Sequence, residues 1–468
     1  MRITSSAFLV LSCLVAGLSG CASLTKLHNE PLGKISNQSG YRLMNTRGGV
    51  YGDHLIFLAF SGGGTRAAAL AYGVMQELRD TQVDSGGKRM RLLDEIDSIS
   101  SVSGGSFTAA YFGLFGDRLF TDFEKVFLRQ SIQGALISKL FDPVFWWESL
   151  FSGLDRTEMA IEYYDSTIFE RKTFADIDLS RGPIIEINAT DLGGGNRFSF
   201  VQPTFDLICS DLGAFPVARA VTASSAVPIA FPTVVLKNFA GECDTRQATI
   251  LRHLADKSDV GDPRARELYR RNLSYTNATA RPYVHLVDGG LADNLGLRAL
   301  IDRVGTFGVQ SAFLDRGRKL PRNVLVISIN AEVRPERSID HSASKPSVVD
   351  TLDALSDVQM ALYNDDTRLL MPQKLRAFMD ELNSHGHDAK SHFVEVSFES
   401  LEVKTLKSYF NSLPTSLELS DHDVDMLIAA GRDLLRRSPE FQAFLAETGG
   451  VSPAGKLLET IALPAPVD

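Results

Sequence analysis

The strongest chemical signal in the chain is a serine placed where an apolar run breaks into small residues. Ser103 lies in Ile99-Ser100-Ser101-Val102-Ser103-Gly104-Gly105-Ser106, followed by the helix-like Phe107-Thr108-Ala109-Ala110-Tyr111-Phe112. A strand, a tight turn carrying a serine and a helix make the layout of a nucleophile elbow, which presents a hydroxyl able to attack a carbonyl carbon. Small neighbours such as Gly105 are needed because the turn forces backbones together. The run departs from G-x-S-x-G at Ser101, and taken alone it also fits a Ser/Gly helix N-cap.

Three further segments bear on the choice. Upstream, His54-Leu55-Ile56-Phe57-Leu58-Ala59-Phe60 reads as a buried strand that stops at Ser61-Gly62-Gly63-Gly64-Thr65-Arg66, before an Ala-rich helix from Ala67 to Leu78. Glycines at a helix start leave backbone N–H groups unhindered along a positive dipole, so Gly62, Gly63 and Gly64 could hold an anion. Downstream, Val284-His285-Leu286-Val287-Asp288-Gly289-Gly290 puts an acid at the end of another apolar strand. Between them, Ala223-Ser224-Ser225-Ala226-Val227-Pro228 closes a helical pattern from Val217 in a proline-bearing turn.

These four blocks, in this order, resemble those of the patatin-like phospholipases, over roughly residues 54–300 and with similarity continuing to about 440. The resemblance implies a three-layer α/β fold with a central, mostly parallel sheet flanked by helices. It implies a Ser103–Asp288 dyad in place of a triad, an oxyanion hole from Gly62, Gly63, Gly64 and Arg66, and support from Gly105, Pro228, Gly289 and Gly290. The expected activity is hydrolysis of a phospholipid, lysophospholipid or other lipid ester through an acyl-enzyme, with no cofactor and no metal. A solvated aspartate of pKa near ~3.9 is a weak base at neutral pH, so Asp288 is predicted to be buried. Each oxyanion donor would be worth roughly 3 kcal/mol. Arg66 has two readings, positioning a phosphate or fixing the loop by bonding nearby carbonyls.

Other functions fit parts of the same pattern. Gly62-x-Gly64-x-x-Ala67 after a strand satisfies a dinucleotide fingerprint, which then requires an acid about 20 residues on at the end of a second strand. What stands there is Asp80-Thr81-Gln82-Val83-Asp84-Ser85-Gly86-Gly87, read as a polar loop. An α/β-hydrolase triad could join Ser103 and Asp288 to His341, His385, His387 or His392, all in polar stretches. A third class is a catalytically silent, lipid-binding lipoprotein that keeps the fold.

The amino terminus suggests a location. Met1-Arg2 is a basic start, Ala7 to Leu18 an apolar segment too short for a mature membrane span, and Leu18-Ser19-Gly20-Cys21 a small-residue cleavage site. It resembles a lipoprotein signal in which Cys21 becomes the lipidated first residue, and Ala22 beside it lacks an inner-membrane retention aspartate. The expectation is an outer-membrane lipoprotein facing the periplasm, with an ordinary secretory signal as the alternative. In a secreted chain Cys209 and Cys243 could pair, which spacing alone leaves open. The 468 residues carry 57 acidic and 48 basic side chains, a formal net charge of −9 that argues against nucleic acid as a partner. Oligomeric state is not legible.

The elements expected to position the chemistry are strands at Leu55–Phe60, Ile96–Val102, Ile184–Asn188, Val284–Val287 and Val324–Ile329, alternating with helices. Residues 1–20 read as the signal, 21–50 as a tether and 51–340 as the catalytic domain, with a charged surface insertion at about 241–281. Residues 341–468 complete the same domain, with a strand near Phe393–Phe398 and a last helix capped by Ser420 with Asp423 three residues on. Phe112, Phe115, Phe123 and Phe127 are expected in the core. Trp146 and Trp147 suggest a lid or membrane-contact patch, since adjacent tryptophans cannot share one helix face.

Overall fold

The computed structural model describes residues 27–36, 38–49, 52–132, 134, 156–227, 231–243, 249–253, 263–313, 317–333, 341, 343–455 and 457–458. Cys21, Pro228, Trp146 and Trp147 lie outside the described residues.

One sheet organises the chain. Its strands are β1 (His54–Phe60), β2 (Ile96–Val102), β3 (Ile184–Asp191), β4 (Asn196–Phe200), β5 (Val234–Lys237), β6 (Tyr283–Val287), β7 (Asn323–Asn330) and β8 (Lys390–Ser397). They run in the order β8-β7-β1-β2-β3-β6-β5, with β4 paired to β3. The first five of that order are mutually parallel, whereas β4 and β6 run antiparallel to β3 and β5 antiparallel to β6. Strands covered on both faces read as continuous apolar runs, which is why β1 and β7 were legible. Along β1, Ile56, Leu58 and Phe60 enter one core while Leu55 and Ala59 enter the other.

Helices cover both faces, giving the three-layer fold. Among them are α1 (Gly64–Asp80), α2 (Gly104–Phe115), α3 (Val217–Ser225), α4 (Pro263–Asn272), α5 (Gly290–Asp293), α6 (Arg298–Ala312), α7 (Val348–Ser384), α8 (Asp421–Arg437) and α9 (Pro439–Glu447). Residues of α1, α2, α3, α8 and α9 fill the larger core, and those of α6 and α7 the smaller one. Helix α1 is clamped by α8 at two glycines. A Cβ on Gly73 would stand 2.2 Å from Ile428 O, and one on Gly431 2.3 Å from Leu70 O, so only hydrogen atoms fit between the backbones.

Several expectations need correction. Residues 27–49 are not a free tether: Glu30–Pro31 pairs with Ser210–Asp211, and buried Tyr41 donates its hydroxyl to Ile185 O at 3.1 Å. Arg42 is likewise drawn in, by ion pairing with fully buried Asp206 at 2.5 Å. The insertion after β5 is rooted inside the protein, because buried Tyr275 donates to Asp191 Oδ2 at 2.8 Å. The polar stretch after α1 is a hairpin, Gln82–Ser85 against Lys88–Arg91, outside the main sheet. Phe123 and Phe127 are in the core, but Phe112 and Phe115 are only partly buried against it. Helix α8 begins at its Ser420 cap, yet it is not the last, since Ser438 caps α9 one residue beyond its end. Cys209 and Cys243 form a disulfide with a Cα–Cα distance of 5.7 Å.

Candidate active site

Ser103 sits between the end of β2 and the start of α2 with φ 49° and ψ −123°. A non-glycine residue in this region is strained by on the order of 1–3 kcal/mol, so surrounding contacts must hold it. They are specific. The Ser103 N–H donates to Ser224 Oγ at 2.8 Å, and Ser224 Oγ donates to Asn188 O at 2.6 Å. A Cβ on Gly104 would lie 2.0 Å from Gly64 O, and one on Gly105 2.7 Å from Ser61 O, so α2 starts in contact with the glycine loop. Ser101, where the elbow pattern departs from glycine, is fully buried in β2 beside β3.

The acid arrives from the antiparallel side of the sheet. Strand β3 pairs Asn188 with Val102, the residue before Ser103, and continues to Asp191. Strand β6 descends along that extension, Leu286 opposite Asp191 and Val287 opposite Thr190, and so ends at the level of the elbow. Its next residue, Asp288, accepts the Ser103 hydroxyl on Oδ2 at 2.8 Å and the Gly290 N–H on Oδ1 at 2.7 Å. Asp288 is 9 % exposed. Burial pushes its carboxyl up to about 6, against the lowering effect of the Gly290 amide and the Ser103 hydroxyl. Gly289 must be glycine, because a Cβ there would stand 2.2 Å from Asn188 O.

The glycine loop divides. Gly62 abuts Ser103, with its would-be Cβ 3.4 Å from Ser103 Cβ, but its N–H donates to Asn294 O at 2.9 Å. It is therefore engaged, contrary to its expected place as an oxyanion donor. Gly63 and Gly64 hold φ of 133° and 60°, and among the described residues their amides donate to no carbonyl. Arg66 is also corrected. Its Nε, Nη1 and Nη2 donate to Ala331 O, Leu413 O and Thr415 Oγ1 at 3.0, 2.6 and 3.0 Å, so the buried guanidinium fixes the loop to the carboxyl-terminal half.

The histidine alternatives lie elsewhere. His341, His385 and His387 are exposed, and His392, on edge strand β8, bonds Glu447 Oε2 at 2.9 Å. The acid needed for a dinucleotide fold also fails to appear at a sheet strand end, since Asp84 stands in the small hairpin.

The sequence profile of the family described as "Patatin-like phospholipase" matches residues 58–301, more than half of the chain and a span that holds the glycine loop, Ser103, Ser224 and Asp288. The chain belongs to the patatin-like phospholipase family. No curated protein matches it. Among solved structures it is similar to human GIVD cytosolic phospholipase A2, with TM-score 0.34 and 10% identity over 58% of this chain and 45% of that one. It is also similar to VipD from Legionella pneumophila, with TM-score 0.31 and 11% identity over 94% of this chain and 73% of that one. The chain thus spans less than half the length of the first of these.

Sequence reasoning gave no role to Asn188, Asn294 or the Ser224 hydroxyl. The contacts that matter here, Ser224 to Asn188, Ser224 to Ser103 and Asn294 to Gly62, span 36, 121 and 232 residues, so no local pattern marks them. The Ser224 hydroxyl is a positioning group for this phospholipase family member. In Ser224→Ala the Ser103 N–H loses its acceptor in a buried site, at a cost of about 1–3 kcal/mol. If Ser103 attacks the ester, we expect kcat on a soluble ester to fall roughly tenfold or more with little change in KM, because the hydroxyl holds the Ser103 backbone. An unchanged kcat would remove this role.

Proposed function

We propose that this chain is a serine acyl-ester hydrolase acting on membrane phospholipid or lysophospholipid through Ser103 and Asp288. One observation carries the proposal: the strained Ser103 donates its hydroxyl at 2.8 Å to a buried carboxylate whose other oxygen is held by a backbone amide. A carboxyl poised near pH 6 is ionised at neutral pH yet basic enough to take a proton. Asp288 accepts the Ser103 proton as Oγ attacks the ester carbonyl, and the oxyanion that forms meets the unengaged amides of Gly63 and Gly64. Asp288 then returns the proton to the departing alcohol. In the second half Asp288 deprotonates water, which attacks the acyl-enzyme and restores Ser103. Lipid on Cys21 would hold this site at a membrane surface facing the periplasm.

Favouring hydrolysis over the silent lipid-binding alternative is the combination at Ser103: a residue held at φ 49° whose hydroxyl lies 2.8 Å from the buried Asp288 carboxylate. The test is labelling with a fluorophosphonate lipid analogue followed by peptide mapping. One adduct on the Ser103 peptide, absent from Ser103→Ala, is the expected result. No adduct on the folded wild-type protein would overturn the assignment.

A further inference from the structure

Cleavage of an acyl-enzyme by water asks for something that its formation does not. Asp288 can take one proton from the water, but the second hydrogen must also be held if the oxygen is to be turned toward the acyl carbon. A second acceptor close to Asp288 would do this. Asn294 supplies one.

Asn294 follows α5, the short helix just after the acid, with φ −63° and ψ −25°. Its place is set by its backbone, whose carbonyl accepts the Gly62 N–H at 2.9 Å. The side chain then stands beside both members of the dyad. A Cβ on Gly62 would lie 2.6 Å from Asn294 Oδ1 and 3.4 Å from Ser103 Cβ, and one on Gly290 would lie 3.1 Å from Asn294 Oδ1 and 3.0 Å from Asp288 Oδ1. The amide oxygen is therefore no farther from Ser103 Cβ, or from the Asp288 carboxylate, than each pair of distances laid end to end. One water spans that gap between two protein groups.

The amide has no structural task of its own. Among the described residues neither Oδ1 nor Nδ2 makes a hydrogen bond, although the backbone of the same residue does. Asn294 is half-buried and its amide is not sealed from solvent, whereas Ser103 and Asp288 are only 8 % and 9 % exposed. Its chemistry narrows the ligand. The atom nearest both glycines is the oxygen, an acceptor, and an acceptor repels an oxyanion. Two neighbouring acceptors are bridged by a molecule that brings two hydrogens. Water is that molecule.

We propose that Asn294 Oδ1 and the Asp288 carboxylate together hold the hydrolytic water. The proposal rests on the hydrolase reading and deepens it. The water oxygen bonds to the acyl carbon, one proton passes to Asp288, and the other stays on that oxygen against Asn294. The bond between the acyl carbon and Ser103 Oγ then breaks, Asp288 returns its proton to Oγ, and a carboxylic acid leaves.

The test separates the two half-reactions on a short-chain nitrophenyl ester. Asn294→Ala keeps the backbone carbonyl that holds Gly62. Its first turnover should release nitrophenol within about twofold of the wild-type rate, while its steady-state rate falls at least roughly tenfold, leaving a burst of about one nitrophenol per protein. Hydroxylamine, which attacks the acyl-enzyme without a held water, should raise steady-state turnover severalfold more in Asn294→Ala than in the wild type. Asn294→Asp keeps an acceptor oxygen and should deacylate faster than Asn294→Ala at pH 8. Both variants should melt close to the wild type. A first turnover that slows as much as the steady state would make Asn294 an oxyanion or packing group and overturn the proposal, as would an unchanged steady-state rate. A folded wild-type protein that releases no nitrophenol would fail the hydrolase reading, and this proposal with it.

Discussion

Asp288→Asn is expected to lose at least roughly 10³-fold in kcat on a soluble ester while melting no lower than wild type at pH 7. The two halves have one cause. Burial raises the Asp288 carboxyl from its ordinary value of 3.8 to about 6. Below pH 4 the group is protonated in folded and unfolded chains alike and adds no charge burden. As pH rises from about 4 to 6 the unfolded chain ionises first, so folding loses stability, and above 6 the burden is complete at roughly 3 kcal/mol. Asparagine removes it. Its amide can donate to Ser103 Oγ and its carbonyl can accept from Gly290 N–H, so the two hydrogen bonds persist with the wrong proton inventory for a base. Wild-type kcat/KM should rise with pH through about 6 as Asp288 ionises.

Ser103→Ala should lose as much activity as Asp288→Asn, and the double variant no more than either, since nucleophile and base act as a unit. Rates from pH 5 to 8 and melting curves at pH 4 and 7 on these proteins check the set. Activity retained by Asp288→Asn, or a lower melting point at pH 7, would falsify the assignment of Asp288 as a buried base.

The second large effect concerns stability and lies at the other end of α1. Glu77 is fully buried and accepts from Arg436 Nε and Nη2 at 2.8 and 2.7 Å and from Arg432 Nε at 3.2 Å. Arg436, itself 8 % exposed, completes its fork on Gly455 O at 2.7 Å. Removing one partner of a buried pair strands the other charge, which typically costs about 3–5 kcal/mol, far above the ~1 kcal/mol of a surface pair. Glu77→Ala should therefore destabilise the protein by that amount in denaturant titration. The remaining folded fraction should keep its esterase kcat, because the glycine loop lies at the opposite end of the helix. Pairing Glu77→Leu with Arg436→Met should recover much of the loss by leaving no charge unmatched. A loss below about 1 kcal/mol in Glu77→Ala would show that water reaches the arginines.

How much of this was readable in the sequence depends on the range of the interaction. Strands β1, β2 and β7 announce themselves because both faces are buried and every residue must be apolar or small. The elbow and the glycine loop are legible for a related reason: only small residues fit where α2 meets Gly64 and Ser61 at 2.0 and 2.7 Å. Asp288 stood out as an acid at a strand end, and its burial follows from the need for a base. The alternation of strand-like and helical runs thus pointed to a layered α/β fold, and the resemblance to the patatin-like family singled out the Ser103 and Asp288 blocks.

Which atoms meet was decided only in three dimensions. The engagement of Gly62 by Asn294, of Arg66 by Leu413 and of Ser103 by Ser224 joins residues 121 to 347 apart. Such pairs leave no local periodicity, because each partner's position is set by sheet order and not by neighbouring sequence. The same holds for residues 27–49, whose polar composition suggested a tether, while Tyr41 and Arg42 find partners in Ile185 and Asp206. Apolar patterning records that a residue is inside; it does not record what stands opposite. Tertiary packing supplies that second fact, and here it commits the Gly62 amide to Asn294 O and the Arg66 guanidinium to Ala331 O, Leu413 O and Thr415 Oγ1.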